Sequence, residues 1–138
     1  MQPGIQPTQV SKGALWGGRI MSWLPALFLL MDGVMKLFKP AFVVTETVRL
    51  GYPEASIVPL GVVLTLCVVL YLIPRTAVLG AILLTGYLGG AVATHVRFFE
   101  GWFPVCFPVV FGVLLWGGLW LRDTRLRALI PLSKGDQS

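Results

Sequence analysis

Asp32 and Lys36 are the two side chains whose position in the sequence most directly indicates chemistry. They lie four residues apart, about one helical turn, so both project from the same face of a helix. Both belong to a long apolar run, where a charged side chain costs at least about 2.5 kcal/mol to insert into a membrane. Two interpretations stay open: a ligand or proton site, and an ion pair that stabilises helix packing.

The remaining candidate site residues are predicted to gather around this pair. Lys36 is near the end of its run and is expected to reach water along its stem, whereas the shorter Asp32 is expected to face the interior. His95 and Arg97 end a later apolar run on the same side of the membrane, and Tyr87 precedes them. We therefore predict one intramembrane polar cluster, in which His95 is either a proton carrier or a neutral interfacial residue.

Composition assigns the chain to the integral membrane proteins. It has 138 residues, of which 56% are hydrophobic and only 12% are charged, and its mean hydropathy is +0.81. A soluble domain carries about 25% charged residues, so a water-facing surface is excluded, and the apolar content excludes disorder. The net charge of +5 comes from basic residues at the ends of apolar runs, so no nucleic-acid partner is expected.

Four apolar runs predict an all-α, four-helix integral membrane bundle over residues 16–121. The runs cover about 17–38, 57–73, 76–96 and 104–121, each close to the roughly 20 residues that cross a bilayer as a helix. A polar N-terminal tail, 1–15, and a basic interfacial C-terminal tail, 122–138, flank the bundle. Between the first two runs, residues 41–52 predict an amphipathic segment that lies on the membrane or caps the bundle.

Small residues in the third run predict close helix packing. Gly86, Gly90 and Ala93 follow one another at helical spacing, and small residues let two membrane helices approach. This ridge is predicted to pack either within the bundle or between two copies of the chain.

The distribution of Lys and Arg predicts the orientation of the chain. Seven basic residues fall on the side of the two termini and four on the other side, which predicts that both termini are in the cytoplasm and that the protein is in the plasma (inner) membrane. The seven are Lys12, Arg19, Arg75, Arg122, Arg125, Arg127 and Lys134.

No metal site and no resident cofactor are predicted. The single histidine and the two cysteines, Cys67 and Cys106, are too few and too separated for a usual zinc site. A quinone or a lipid-like molecule stays open as a ligand.

Four short segments resemble the DoxX-like family of small four-helix membrane proteins. They are DGVMKL at 32–37, LGYP at 50–53, PLG at 59–61 and AVATH at 91–95, and the resemblance covers about residues 19–130. It implies a four-helix bundle with Asp32, Lys36 and His95 at recurring polar positions. It also implies a link to membrane oxidoreductases such as thiosulfate:quinone oxidoreductase, and an animal relative assists assembly of acetylcholine receptors.

The leading functional prediction is a non-catalytic membrane subunit or a lipophile-binding bundle, with its polar cluster near the non-cytoplasmic side. One alternative is a quinone-linked oxidoreductase subunit, in which His95 donates a proton and Asp32 is its partner. A second alternative is an assembly chaperone or scaffold that binds other membrane helices along the glycine ridge. The expected partners are membrane lipids together with either another membrane protein or further copies of the chain. Whether the protein is an enzyme stays open, with the balance against activity on its own.

Overall fold

Four long apolar helices make up most of the protein. The computed structural model describes residues 11–129. The long helices are α1 (Lys12–Phe38), α3 (Ile57–Leu72), α4 (Ala77–Arg97) and α5 (Trp102–Arg122), and a 3₁₀ turn at Glu54–Ser56 leads into α3. All four are long and apolar enough to cross a membrane. The prediction of an all-α membrane protein with four spanning helices is therefore confirmed.

Two short helices complete the described chain. Helix α2 (Ala41–Arg49) lies between α1 and α3, and α6 (Thr124–Leu129) follows α5. Helix α1 begins five residues before the predicted start of the first span, because the hydroxyl of Ser11 accepts a hydrogen bond of 3.2 Å from the amide of Ala14 and caps the helix. The predicted tails fall largely at 1–10 and 130–138, outside the described residues.

The long helices pack as a ring of four. Helix α1 packs against α3 and α5, and α4 packs against the same two helices on the opposite side. Helices α1 and α4 therefore face each other across the centre of the ring.

Glycines at the helix crossings let the backbones approach closely. A Cβ atom added at Gly118 of α5 would lie 2.7 Å from the carbonyl oxygen of Gly18 in α1. A Cβ atom at Gly61 of α3 would lie 2.8 Å from the carbonyl oxygen of Gly33 in α1. Inside a membrane, close packing of this kind is a main source of helix association. The crossings of α1 with α3 and with α5 therefore depend on residues that have no side chain.

The predicted glycine ridge of α4 does not pack against another helix among the described residues. Among the described residues, no atom of another helix lies within 4 Å of a Cβ position at Gly86 or Gly90, and Ala93 is exposed. Gly86 and Gly90 instead line a cavity.

Substitution of a crossing glycine is expected to destabilise the bundle. Gly118→Ala should lower the free energy of unfolding by about 1–3 kcal/mol, because the new methyl group meets backbone atoms of α1 that cannot rotate away. Gly89→Ala is the matched control, since nothing lies within 4 Å of its Cβ position. Unfolding in mixed detergent micelles measures both, and equal stabilities for the two variants would contradict this packing.

Candidate binding cavity

A cavity of about 610 Å³ lies between the four long helices at the end of the bundle near α2. Helices α1, α2, α4 and α5 supply most of its wall, and Leu50, Tyr52 and Leu60 supply the rest. It occupies the space between α1 and α4, where the predicted glycine ridge leaves room. The cavity is therefore a consequence of how the helices pack.

Aromatic rings form the apolar part of the wall. Phe28 of α1 and Phe107 and Phe111 of α5 all line the cavity. The ring centroids of Phe28 and Phe111 are 5.1 Å apart, and those of Phe107 and Phe111 are 4.7 Å apart. Rings at such distances support each other by edge or tilted contacts. This side of the cavity suits a hydrophobic ligand.

Asp32 and Lys36 form an ion pair on the wall of the cavity. The side chain of Lys36 is 15% exposed and that of Asp32 is 41% exposed. Lys36 was expected to be the more exposed of the two side chains and Asp32 the more buried; the structure shows the opposite order. Lys36 is covered because its stem packs over Gly61 of α3, whose missing side chain leaves room for it.

Tyr87 and His95 also line the cavity, as predicted members of the cluster. Neither side chain makes a hydrogen bond to another described residue. Arg97 is placed apart from them: it is exposed, and its guanidinium carbon lies 5.3 Å from the centre of the Phe98 ring. The structure therefore brings together Asp32, Lys36, Tyr87 and His95.

Tyr52 and Thr94 belong to the cavity but were not singled out from the sequence. Their hydroxyl oxygens are 2.6 Å apart, and Thr94 also donates to the carbonyl of Gly90. Gly51 makes this possible, because its φ of 90° turns the chain back towards the bundle. The segment LGYP at 50–53 is one of those that resemble the DoxX-like family, but its residues alone do not predict a contact with Thr94.

Helix α2 covers the end of the cavity and is held by charged side chains. Arg49 pairs with Glu46, at 2.7 Å between Nη2 and Oε2, and with Glu100 in the connection between α4 and α5. The hydrogen bond from Arg49, and then its charge, hold the pKa of Glu46 below its ordinary value of 4.5. Lys39 and Glu54 form a further pair at 3.5 Å. Glu100 therefore pairs with Arg49 of α2 and not with its neighbour Arg97.

A second polar group lies at the opposite end of the bundle. The hydroxyl of Tyr71 is 2.8 Å from that of Ser22 and 2.6 Å from the carbonyl oxygen of Leu115, and Arg122 donates to Ser22 at 3.0 Å. Ser22 and Tyr71 are fully buried, so this group joins α1, α3 and α5. This group was not predicted, because single hydroxyls in apolar runs have no characteristic spacing.

The cysteines and acidic residues do not gather into a metal centre in the part of the chain that the structure describes. No group of three or more His, Cys, Asp or Glu side chains there could hold a metal ion. Cys67 is buried and Cys106 is exposed, and both are free thiols.

Comparison with protein families matches residues 20–118 to the DoxX-like family. The chain belongs to the DoxX-like family. The matched segment contains every residue that lines the cavity, from Phe28 to Phe111. No curated protein and no solved structure matches the chain. The suspected resemblance is thus confirmed, and the site of this DoxX-like protein has to be interpreted from its own geometry.

The ion pair is expected to couple Asp32 and Lys36 energetically. Asp32→Leu and Lys36→Leu should each destabilise the protein by leaving the partner charge unpaired in a largely apolar environment. The double variant should recover about 0.5–3 kcal/mol relative to the sum of the single effects. Unfolding of the wild type, the two single variants and the double variant in mixed micelles gives the coupling energy. A value of zero would show that the pair does not stabilise the protein.

Acid is expected to loosen α2. Since the folded-state pKa of Glu46 lies below its ordinary value of 4.5, the pair with Arg49 stabilises α2 fully above that pH and less as the pH falls through the lowered pKa. Amide hydrogen exchange across Ala41–Arg49, corrected for intrinsic rates, should show protection falling in that range. Glu46→Gln is the control, and an identical pH profile in the two proteins would contradict the role of Glu46.

Proposed function

We propose that this DoxX-like protein binds a small amphiphilic molecule in its cavity and is not catalytic on its own. The apolar part of the ligand lies among Phe28, Phe107 and Phe111, and its polar end lies near Asp32, Lys36 and His95. The observation that carries the proposal is the two-sided wall, which is aromatic on one part and polar on another. A ligand with the same division satisfies both parts.

The size of the cavity supports a ligand of ordinary small-molecule size. A volume of about 610 Å³ falls within the roughly 300–1,000 Å³ of typical small-molecule pockets. Such a space accommodates a ring system or part of an acyl chain, together with a head group.

The polar groups support a ligand whose head group accepts and donates hydrogen bonds. Tyr87 and His95 line the cavity and have no hydrogen-bond partner among the described residues, so both can bond to a ligand. Lys36 and Asp32 compensate each other in charge, so a head group without net charge meets no unpaired charge there. A hydroxyl of a lipid head group both donates and accepts, whereas a quinone carbonyl accepts, for example from the hydroxyl of Tyr87.

The alternative of a quinone-linked oxidoreductase subunit rests on His95. Its imidazole lines the same cavity as Asp32, and histidine is a common proton carrier in proteins. In this alternative, His95 gives a proton to the reduced ligand, and a partner protein supplies the electrons.

The assembly-chaperone alternative loses its original support. It depended on an external ridge at Gly86 and Gly90, and both residues line the cavity. Contact with other membrane helices would need another surface of the bundle.

The membrane assignment extends to an orientation. We place both termini in the cytoplasm of a bacterial cell and the cavity near the opposite face, because most Lys and Arg residues lie towards the termini. In this arrangement, α2 lies on the non-cytoplasmic face.

Native mass spectrometry of gently solubilised protein tests the binding function. The wild type is expected to carry a small adduct whose mass distinguishes a phospholipid from a quinone. Gly90→Phe should reduce its occupancy about tenfold or more, equivalent to about 1.4 kcal/mol, because the new ring fills the cavity. Asp32→Leu should reduce it by removing the polar anchor.

Gly89→Phe is the matched control for cavity filling. It changes the neighbouring residue of the same helix in the same way, but Gly89 lies outside the cavity and has open space around it. It should keep the adduct. A wild type without any adduct, or an adduct retained equally by Gly90→Phe, would remove the binding function.

A further inference from the structure

One row of aromatic rings runs from the cavity to the outer surface of the bundle. We name it the phenylalanine row: Phe28 on α1 and Phe103, Phe107 and Phe111 on α5. Phe28, Phe107 and Phe111 line the cavity, whereas Phe103 does not and is 77% exposed. The centroids of Phe103 and Phe107 are nevertheless only 5.6 Å apart. Phe107 therefore stands between the cavity and the membrane-facing surface.

Helices α1 and α5 are in backbone contact at one end and in side-chain contact at the other. At the far end, the two backbones touch at Gly18 and Gly118, and Arg122 donates to Ser22 across the same crossing. At the cavity end, the space between α1 and α5 is filled by the rings of the phenylalanine row. Side chains can change rotamer in place, whereas backbone contacts between glycines cannot. The cavity end of this crossing is thus the part that opens with least disruption.

Helix α5 is also less constrained at this level. Pro108 follows Phe107 inside the helix and lines the cavity. It has no N–H to donate to the carbonyl four residues earlier, so α5 lacks one backbone hydrogen bond there. A local bend at this point moves Phe107 without breaking another bond of the helix.

Helix α2 lies over the end of the cavity that faces the water phase. Helix α2 contributes Phe42, Val43 and Thr47 to the end of the cavity. Arg49 of α2 forms an ion pair with Glu100 in the connection between α4 and α5. Tyr52, which follows α2 in the chain, is hydrogen-bonded to Thr94 of α4. Access from this side passes α2 and these contacts.

From these contacts we infer that the cavity is reached sideways from the bilayer, between α1 and α5 through the phenylalanine row. The inference rests on the proposed binding function and defines its ligand class: a lipophile already dissolved in the membrane, not a water-soluble metabolite. Displacement of Phe107 opens the route, while α2 stays in place.

A thiol placed inside the cavity tests the route without knowledge of the natural ligand. Gly90→Cys, in a background with Cys67→Ala and Cys106→Ala, supplies the thiol at a position with open space around it. The protein is placed in phosphatidylcholine nanodiscs, where both faces meet the buffer. Labelling rates are compared for N-pyrenylmaleimide, which partitions into lipid, and for a sulfonated maleimide, which stays in water. The lipid-soluble reagent is expected to react faster.

Two further variants separate the routes. Phe107→Ala should raise the rate with N-pyrenylmaleimide about tenfold, because its contacts with three other rings are lost. Arg49→Gln should leave that rate unchanged, although it releases α2 from Glu100. Phe99→Ala is the matched control, since this exposed ring lies outside the cavity and the row. Gly86→Cys serves as a second thiol position if Gly90→Cys does not fold.

The outcomes distinguish this inference from the binding function. Faster labelling by the sulfonated reagent, accelerated by Arg49→Gln, would overturn the lateral route in favour of access beneath α2. No labelling of either thiol position by either reagent would overturn it as well. Lateral labelling without any adduct in native mass spectra would leave the route standing and remove the binding function. An adduct together with labelling from water would support the binding function and overturn the lateral route.

Discussion

The approach of α1 to its two neighbours at glycine pairs is the constraint on which the bundle depends. Gly18 meets Gly118, and Gly33 meets Gly61, so α1 is held by backbone contact to α5 and to α3. In lipid there is little hydrophobic gain from bringing helices together, so contact area and interhelical hydrogen bonds matter most. The bonds among Ser22, Tyr71 and Arg122 add to the contact at the same end. The position of every other helix follows from where α1 is fixed.

This arrangement divides the bundle into two unlike ends. The end with Ser22 is closely packed, with its hydroxyls satisfied inside the protein. At the other end, α1 and α4 stay apart because Gly86 and Gly90 supply no side chain to fill the space between them. Small residues thus have opposite effects at two places: they close the crossing of α1 with α5, and they open the cavity beside α4.

Much of the fold was predictable, because hydropathy and the need to satisfy backbone hydrogen bonds in lipid together require spanning helices. The pairing of Asp32 with Lys36 was predictable for the same kind of reason, since a spacing of four residues fixes a shared helix face. The face of each helix that turns inward was not predictable, because a helix that is apolar on all sides has no polar face to mark its outer side. Gly86 and Gly90 were therefore assigned to packing, although they line the cavity, and the close contacts of Gly18, Gly33 and Gly61 were not predicted.

The polar contacts missed from the sequence join residues far apart in the chain. Tyr52 reaches Thr94, and Tyr71 reaches Ser22, across separations that no local pattern encodes. Arg97 was grouped with His95 because they are near neighbours in sequence, yet on a helix a separation of two residues places side chains on different faces. Proximity along a helix predicts a shared site only at spacings near three or four.

The charges of the described residues are distributed unequally along the bundle axis. The α2 end carries four basic and four acidic side chains, while the end with the termini carries six basic side chains and one acidic one. Those at the α2 end are Asp32, Lys36, Lys39, Glu46, Arg49, Glu54, Arg97 and Glu100. Moving one elementary charge across a transmembrane voltage changes its energy by about 2.3 kcal/mol per 100 mV. The voltage therefore favours the orientation in which the end with six basic side chains lies on the negative side of the membrane, and the balanced α2 end contributes little to that preference.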